Sequence, residues 1–316
     1  MRKVVDDPRL MIKVCDLFYN QEASQQQICQ MLGLSRPTVA RLLTSAREQG
    51  IVQITIPNLD TITYWELEQN LEQKYGLREV LVVDSGDTEE ELKTALGSAA
   101  ARYLQYIIKD GYTVGISMGA TLHHMVTQLR DGAAKDVTFL PLIGGMGRLR
   151  TELHSNSLAE GMSRFYGGTF LPLHAPARVS STLVRDELMK EESLSSAMEL
   201  MKKLDVALVG IGYPNEHSAI KATGYFKENE IESLMERKAA GELCMQFYDV
   251  TGDTAPYRSD NTVIGIDIHK LRKVPCSVGI AGGLEKLSAI RGAIRGRYIN
   301  MLITDIQCAT ALASEE

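Results

Sequence analysis

The sequence predicts an α/β protein in two unequal parts, a short helix-turn-helix head of winged type and a larger, Rossmann-like, mostly parallel α/β body. Three observations carry that expectation. Apolar residues up to Gly50 recur at helical spacing between clear caps, near-continuous apolar runs alternate with helical stretches after Gly76, and glycines cluster at the ends of those runs. A length of 316 residues suits two domains better than one.

In the head, Asp7-Pro8 forms a helix start, Asp as N-cap and Pro in the first turn. Met11, Val14, Cys15 and Phe18 then give one apolar stripe. Ser24 and Gln27 have capping-box spacing and open a second helix that should bury Ile28, Met31 and Leu32 and stop at Gly33. Ser35 caps a third helix, with Pro37 in its first turn and Gly50 as its stop. Two short helices joined by a tight Gly-containing turn form a DNA-binding helix-turn-helix, although small three-helix units also occur in proteins that never touch DNA. At roughly 100° per residue, Val39, Leu42, Leu43 and Ala46 face the core, and Pro37, Thr38, Arg41, Thr44 and Ser45 face away. Short hydroxyls and an Arg on that outer face suit base edges in the major groove, and Arg36 at the flank suits a phosphate. The DNA-contacting set is therefore Ser35, Arg36, Pro37, Thr38, Arg41, Thr44 and Ser45. Ile51–Ile56 reads as a strand that could form a wing, ended by Pro57.

From Thr63 to Tyr75 the pattern is helical, with Tyr64, Leu67, Leu71 and Tyr75 as its stripe. Two readings stand open: a surface helix packed on the body, or a linker that pairs with its twin in a dimer. The body then shows strand-like runs at Val80–Val83, Thr113–Ser117, Val137–Ile143, Thr169–Leu173, Val206–Ile211, Leu243–Val250, Ser277–Ala281 and Met301–Thr304. Helical stretches between them include Leu92–Ile108, Ser155–Phe165, Ser193–Leu204 and Leu284–Ile294. This alternation predicts a parallel sheet covered on both faces. Domain boundaries follow: 1–58 for the DNA-binding head, 59–76 for a linker or oligomerisation helix, and 77–316 for an effector-binding body.

Ligands of such sheets sit beyond the carboxyl ends of the strands. There the sequence places Ser117-Met118-Gly119-Ala120-Thr121, Gly144-Gly145-Met146-Gly147, Gly210-Ile211-Gly212 and Gly282-Gly283. One such cluster is usually a tight turn; four together predict a crevice for a small polar ligand. Gly119 lets the backbone approach a ligand, and Thr121 adds a hydroxyl at a helix start, as in a phosphate cradle. Arg148, Glu242, Lys286 and Asp305 are the charged candidates nearby, Lys286 for a phosphate and Glu242 for sugar hydroxyls, while Asp305 could simply cap the last helix.

Composition narrows the classes. The net charge is −6, but residues 1–58 hold seven Lys/Arg against five Asp/Glu and the remainder 27 against 35, so the head is mildly basic on an acidic body. No apolar run is long enough to span a bilayer, and the N-terminus lacks a signal-peptide pattern, so a cytoplasmic protein is expected. Five scattered cysteines form no CxxC pair, and His123 and His124 point in different directions, so neither a disulfide framework nor a metal site is expected. No HExxH, GxSxG or GxxxxGK[ST] is present, and no cofactor is expected.

The head segment SQQQICQMLGLSRPTVARLL…GIVQITI resembles that of the SorC family of sugar-binding transcriptional regulators. The body is similar in order through VGISMGATL, LPLIGGMG, LHAPARVSS, ALVGIGY, GELCMQFYDVTGD and VGIAGGLEK…YINMLITDIQCATALA, covering nearly the whole chain. The resemblance implies a body related in fold to sugar-phosphate isomerases and deaminases, an effector that is a phosphorylated sugar or related metabolite, operator DNA as partner, and a homo-oligomer, dimer or tetramer. It implies a phosphate loop of Ser117, Met118, Gly119, Ala120 and Thr121, with Gly144 and Gly145 lining the sugar and Lys286 near the phosphate. Glu242 stands where many relatives have Asp, and Met118 where the residue is often aromatic. Relatives that hold their sugar covalently use a Lys just before the paired glycines; here stand Pro141, Leu142 and Ile143, so no Schiff base is expected. The function expected is a regulator, in the repressor sense, of a carbohydrate-utilisation operon. The alternative is an isomerase- or deaminase-like enzyme with an accessory head. That chemistry needs a positioned acid and base, and only Glu242 stands out as a candidate.

Overall fold

The computed structural model describes residues 7–52, 63–130, 134–145, 147, 150–215 and 219–314. Two compact units emerge, Met1–Thr63 and Tyr64–Glu316. In the first, α1 (Pro8–Cys15) runs into a π-turn over Asp16–Asn20, followed by α2 (Gln25–Leu32) and α3 (Arg36–Glu48). The caps fall where the sequence places them: Asp7 accepts from Arg9 N–H, Ser24 and Gln27 form a reciprocal capping box, and Ser35 accepts from Thr38 N–H. Gly33 adopts φ 64°, a left-handed turn that suits glycine. Met11, Val14, Cys15, Ile28, Val39, Leu42, Leu43 and Ala46 form the core. Met31 departs from expectation. It is 64% exposed, because the buried edge of this short helix is centred on Ile28 and half-buried Leu32. Of the expected wing strand, Ile51 and Val52 lie in a bend, and the remainder falls outside the described residues.

The second unit opens with α4 (Trp65–Tyr75), then β1 (Glu79–Val83), α5 (Glu89–Ile107), β2 (Thr113–Ile116), α6 (Ala120–Thr127), β3 (Thr138–Pro141), α7 (Ser155–Tyr166) and β4 (Thr169–Phe170). It continues through α8 (Thr182–Leu188), α9 (Glu192–Leu200), β5 (Val206–Gly210), α10 (Ala219–Ala222) and α11 (Glu228–Glu236). The last part holds β6 (Gly241–Leu243), β7 (Gln246–Tyr248), α12 (Ile268–Leu271), β8 (Cys276–Ile280), α13 (Leu287–Arg295), β9 (Met301–Asp305) and α14 (Ile306–Ala313).

Seven strands form one parallel sheet in the order β1-β9-β8-β5-β2-β3-β4. Alternate residues feed two separate cores. Val206 and Leu208 of β5 enter one with helices α5, α6 and α7, while Ala207 and Val209 enter the other with α9, α11, α13 and α14. Burial on both faces explains why the strands read as continuous apolar runs. The helix α4 packs on this body: Leu71 is fully buried, Tyr64, Leu67 and Tyr75 pack on the same core, and Tyr75 and Lys74 donate to the Leu312 carbonyl of α14. Glu68 and Glu72 accept the outward N–H groups of Val82 and Val80, so α4 covers the sheet edge that β1 would otherwise leave open.

One expected strand is a different object. The run Leu243–Val250 does not join the sheet; Gly241–Tyr248 folds as an antiparallel hairpin of β6 and β7. Its two-residue turn holds Cys244 at φ 50° and Met245 at φ 61°, the geometry of a primed hairpin turn. Such turns favour Asn and Gly, so a Cys-Met pair gives no sequence signal for one.

Candidate functional site

Two surfaces hold the expected residues. In the head, Ser35, Arg36, Pro37, Arg41 and Thr44 are exposed and Thr38 and Ser45 half-buried, opposite the core face of α3. Ser35 and Thr38 share a hydroxyl contact of 2.8 Å, and Ser45 accepts from Gln49. Among the described residues neither the Arg36 nor the Arg41 side chain has an ion pair or hydrogen bond within the protein. Both guanidinium groups are thus available to an outside acceptor.

In the body the order of strand addition reverses between the parallel neighbours β2 and β5. From β2 the chain moves outward to β3 and β4, and from β5 it moves the other way to β8 and β9. At the carboxyl ends of these strands lies a cleft of about 470 Å3. Its walls include Met118, Gly119, Ala120, Thr121 and Leu122 at the start of α6, Gly210–Tyr213 after β5, and Ile280, Glu285 and Lys286 at and after β8. Glu242 of the hairpin and Glu89 and Lys93 of α5 complete it with Ile220. Gly119 sits at φ 130°, open to a glycine and strained for other residues, and no side chain caps the helix that follows. The first-turn N–H groups of α6 therefore have no acceptor on their own helix and face an anion-binding role by position.

Lys286 lies on the turn after Gly283, its N–H donating to the Gly283 carbonyl, and among the described residues its ammonium makes no hydrogen bond or ion pair. Burial above all holds its ammonium below the usual lysine range, while Glu285, Glu89 and Glu242 pull it the other way. Behind it, Asp305 is fully buried and accepts from Ser85 Oγ (2.6 Å), Gly283 N–H (2.9 Å) and Gln307 N–H (3.2 Å). Asp305 thus caps α14, as the plainer sequence reading has it, and also fixes the loop that carries Lys286.

Glu242 is only 6% exposed, and its carboxylate accepts from Met245 N–H at 2.7 Å across the hairpin turn. Its backbone pairs both ways with Gly212, where any Cβ would collide with the carboxylate. Burial pushes the carboxyl up to about 7, against the lowering effects of the Met245 N–H and Lys286. A carboxyl raised above its unfolded value of 4.5 binds more protons when folded, so its ionisation erodes stability as pH climbs from about 4.5 to 7. Glu242→Gln is therefore expected to be more stable than wild type at pH 8 by up to about 3 kcal/mol, with the advantage gone at pH 4.5. Thermal melts of both proteins across that range check this; a pH-independent difference contradicts it.

Of the nine effector residues expected, Met118, Gly119, Ala120, Thr121, Glu242 and Lys286 line the cleft, and Ser117, Gly144 and Gly145 do not. The Ser117 hydroxyl is buried and accepts from Gly210 N–H at 3.2 Å, holding β5 beside β2. Gly144 is packed so tightly that a Cβ would meet the carbonyls of Ala175 and Pro176, and Gly145 exchanges backbone bonds with Ala175 and Ala177. Gly144 thus serves a close approach of two backbone segments, and Gly145 pairs with the same segment through its backbone. Arg148 lies outside the described residues. The sequence reading missed Glu89, Lys93, Tyr213 and Glu285, and Glu89 and Glu285 put two further carboxylates in the cleft with Glu242. No residue type or spacing announces them, because they converge only through the sheet order. Among the described residues no group of three His, Cys, Asp or Glu side chains could hold a metal ion, and no helix is long and apolar enough to cross a membrane.

Residues 60–314 match the Sugar-bind family, described as "Putative sugar-binding domain". Over 310 residues, 97% of this chain and 98% of the relative, the chain is 36% identical to the sorbitol operon regulator of Klebsiella pneumoniae. It is 32% identical over 314 residues, 97% of this chain and 98% of the relative, to the deoxyribonucleoside regulator of Bacillus subtilis strain 168. The crystal structure of the full-length sorbitol operon regulator SorC from Klebsiella pneumoniae aligns with a TM-score of 0.74 at 35% identity, covering 98% of this chain and 100% of that one.

Proposed function

Because the chain belongs to the SorC family of sugar-binding transcription regulators, we propose that it is a DNA-binding repressor of a carbohydrate-utilisation operon, gated by a phosphorylated sugar held in the cleft of its body. The observation that carries this reading is the cleft itself. An uncapped helix start behind Gly119 and the unpaired ammonium of Lys286 supply anion-binding groups, and Glu242 supplies a hydroxyl-binding one. Relatives named for a sorbitol operon and for deoxyribonucleosides make sugar-derived metabolites the effector class to test first. Operator DNA is the partner of the head, and a homo-oligomer, dimer or tetramer, would present two heads to paired half-sites. The cytoplasm is the compartment in which such a protein meets both.

Effector control requires that the ligand bind the DNA-free form more tightly than the DNA-bound form. The test starts from DNA fragments selected out of a random pool by the full-length protein, with affinity followed by fluorescence anisotropy. Arg41→Ala is expected to lose about 1–3 kcal/mol at the selected site and to relax base preference. Arg36→Ala is expected to weaken binding evenly across sequences and to flatten its salt dependence. Both variants binding like wild type would overturn the placement of the recognition face on α3. A phosphate ester that melts the protein upward yet leaves its DNA affinity unchanged would overturn the gating.

A second reading, an isomerase-like enzyme, has one observation in its favour: a buried carboxyl near 7 in the cleft matches what an acid–base catalyst needs. Turnover of an aldose phosphate by the purified protein would establish it. The relatives named above are regulators, which favours regulation over catalysis for this chain.

A further inference from the structure

Lys93 stands in the first turns of α5, where an i,i+4 ion pair holds its ammonium 2.8 Å from Glu89. The two partners differ in surroundings. The Glu89 side chain is 76% exposed and that of Lys93 only 23%, so the carboxylate is the more solvated partner and the lysine side chain is largely covered. Both line the cleft whose floor is the start of α6. The helices α5 and α6 run side by side: Gly97 lies against His124, and Glu90 pairs with the His124 ring at 3.0 Å. One turn earlier on each helix stand Lys93 and Ala120, both on the cleft wall. Lys286 lines the same cleft, so two lysine side chains border one pocket.

We propose that Lys93 is a second phosphate-binding lysine of the cleft, held by Glu89 while the cleft is empty and transferred to the phosphate of a bound effector. The inference rests on the reading that the effector is phosphorylated, and it adds which residue makes the phosphate a requirement. An exposed i,i+4 pair is weak and screened by salt, so Glu89 releases its partner at little cost. A dianion beside a helix start and a partly buried Lys286 offers a doubly charged acceptor in a less screened setting. A neutral sugar offers no such exchange and leaves Lys93 on Glu89. The pair thereby discriminates a phosphate ester from its parent.

The experiment measures melting and calorimetric binding of the full-length protein with inorganic phosphate and with D-glucitol 6-phosphate, D-fructose 6-phosphate and 2-deoxyribose 5-phosphate, each beside its unphosphorylated parent. Lys93→Met is expected to weaken phosphate-dependent binding by about 10- to 100-fold. Glu89→Gln is expected to tighten it by about two- to fivefold. Neither change should alter binding of a parent sugar, and Lys109→Met, on exposed surface beyond the end of α5, should leave all values unchanged. Wild type that binds a phosphate ester while Lys93→Met binds it equally well would overturn the role of Lys93 and leave the effector reading intact. Wild type that binds none of the phosphates would overturn both.

Discussion

Asp305→Ala is expected to destabilise the body by about 3–5 kcal/mol and to abolish effector binding in whatever fraction stays folded. The carboxylate is completely buried and serves three donors: the Ser85 hydroxyl, the Gly283 N–H and the Gln307 N–H at the start of α14. Hydrogen bonds to a charged acceptor contribute about 1.5–3 kcal/mol each, and a lost N-cap alone costs about 1 kcal/mol. Removing the acceptor also leaves buried donors without a partner and frees the turn that aims Lys286 into the cleft. Burial would raise the Asp305 carboxyl, but the bonds from Ser85, Gly283 and Gln307 hold it below the usual carboxylate range. A depressed folded-state value means the contribution is fully present above the unfolded value and is lost as pH falls through the folded one. Asp305→Asn should therefore trail wild type most at neutral pH and converge on it in acid, below about pH 4. Melting curves against pH check this, and an alanine variant that melts and binds like wild type would refute the role given to Asp305.

Leu42→Ala is expected to unfold the head and spare the body. Leu42 is fully buried in a core of eight residues, and truncating a buried leucine costs about 2–5 kcal/mol. A unit this small holds little stability in reserve. Calorimetry should show the head transition lost or shifted far down while the body melts unchanged, and DNA binding should vanish. Arg41→Ala loses DNA affinity with no change in melting, so the two variants separate a folding defect from a contact defect. One cooperative transition lowered as a whole by Leu42→Ala would show that the two units do not unfold separately.

The head was legible because its signals are local. Asp7-Pro8, the Ser24–Gln27 box, Gly33 and Ser35 each act within one turn of helix, and each sits where capping chemistry requires. The sheet was legible because strands buried on both faces leave unbroken apolar runs. Where the fold used left-handed Cys244 and Met245 in place of glycine, the sequence concealed a hairpin as one strand. The cleft divided along the same line. The start of α6 is marked by Gly119, whereas Glu89 and Lys93 reach it only because β1 lies at the sheet edge and β2 near its centre, so that α5 between them runs beside α6. Gly144 and Gly145 were less legible. Paired glycines at a strand end suggest a ligand, yet neither lines the cleft, Gly144 admits the backbone at Ala175 and Pro176, and Gly145 bonds to Ala175 and Ala177.

The proposed regulation depends on a phosphorylated sugar binding in the cleft beyond β2, β5 and β8. Thermal melting of the full-length protein against a panel of sugar phosphates and their parents tests it most directly. A ligand at 100 times its dissociation constant adds about 2.7 kcal/mol, which for a body of this size raises the melting temperature by about 5–10 °C when unfolding is reversible. That rise is expected with at least one phosphate ester, with no rise for the parent sugar and none in Lys286→Met. No rise with any ester, or an equal rise with a parent sugar or nucleoside, would contradict it.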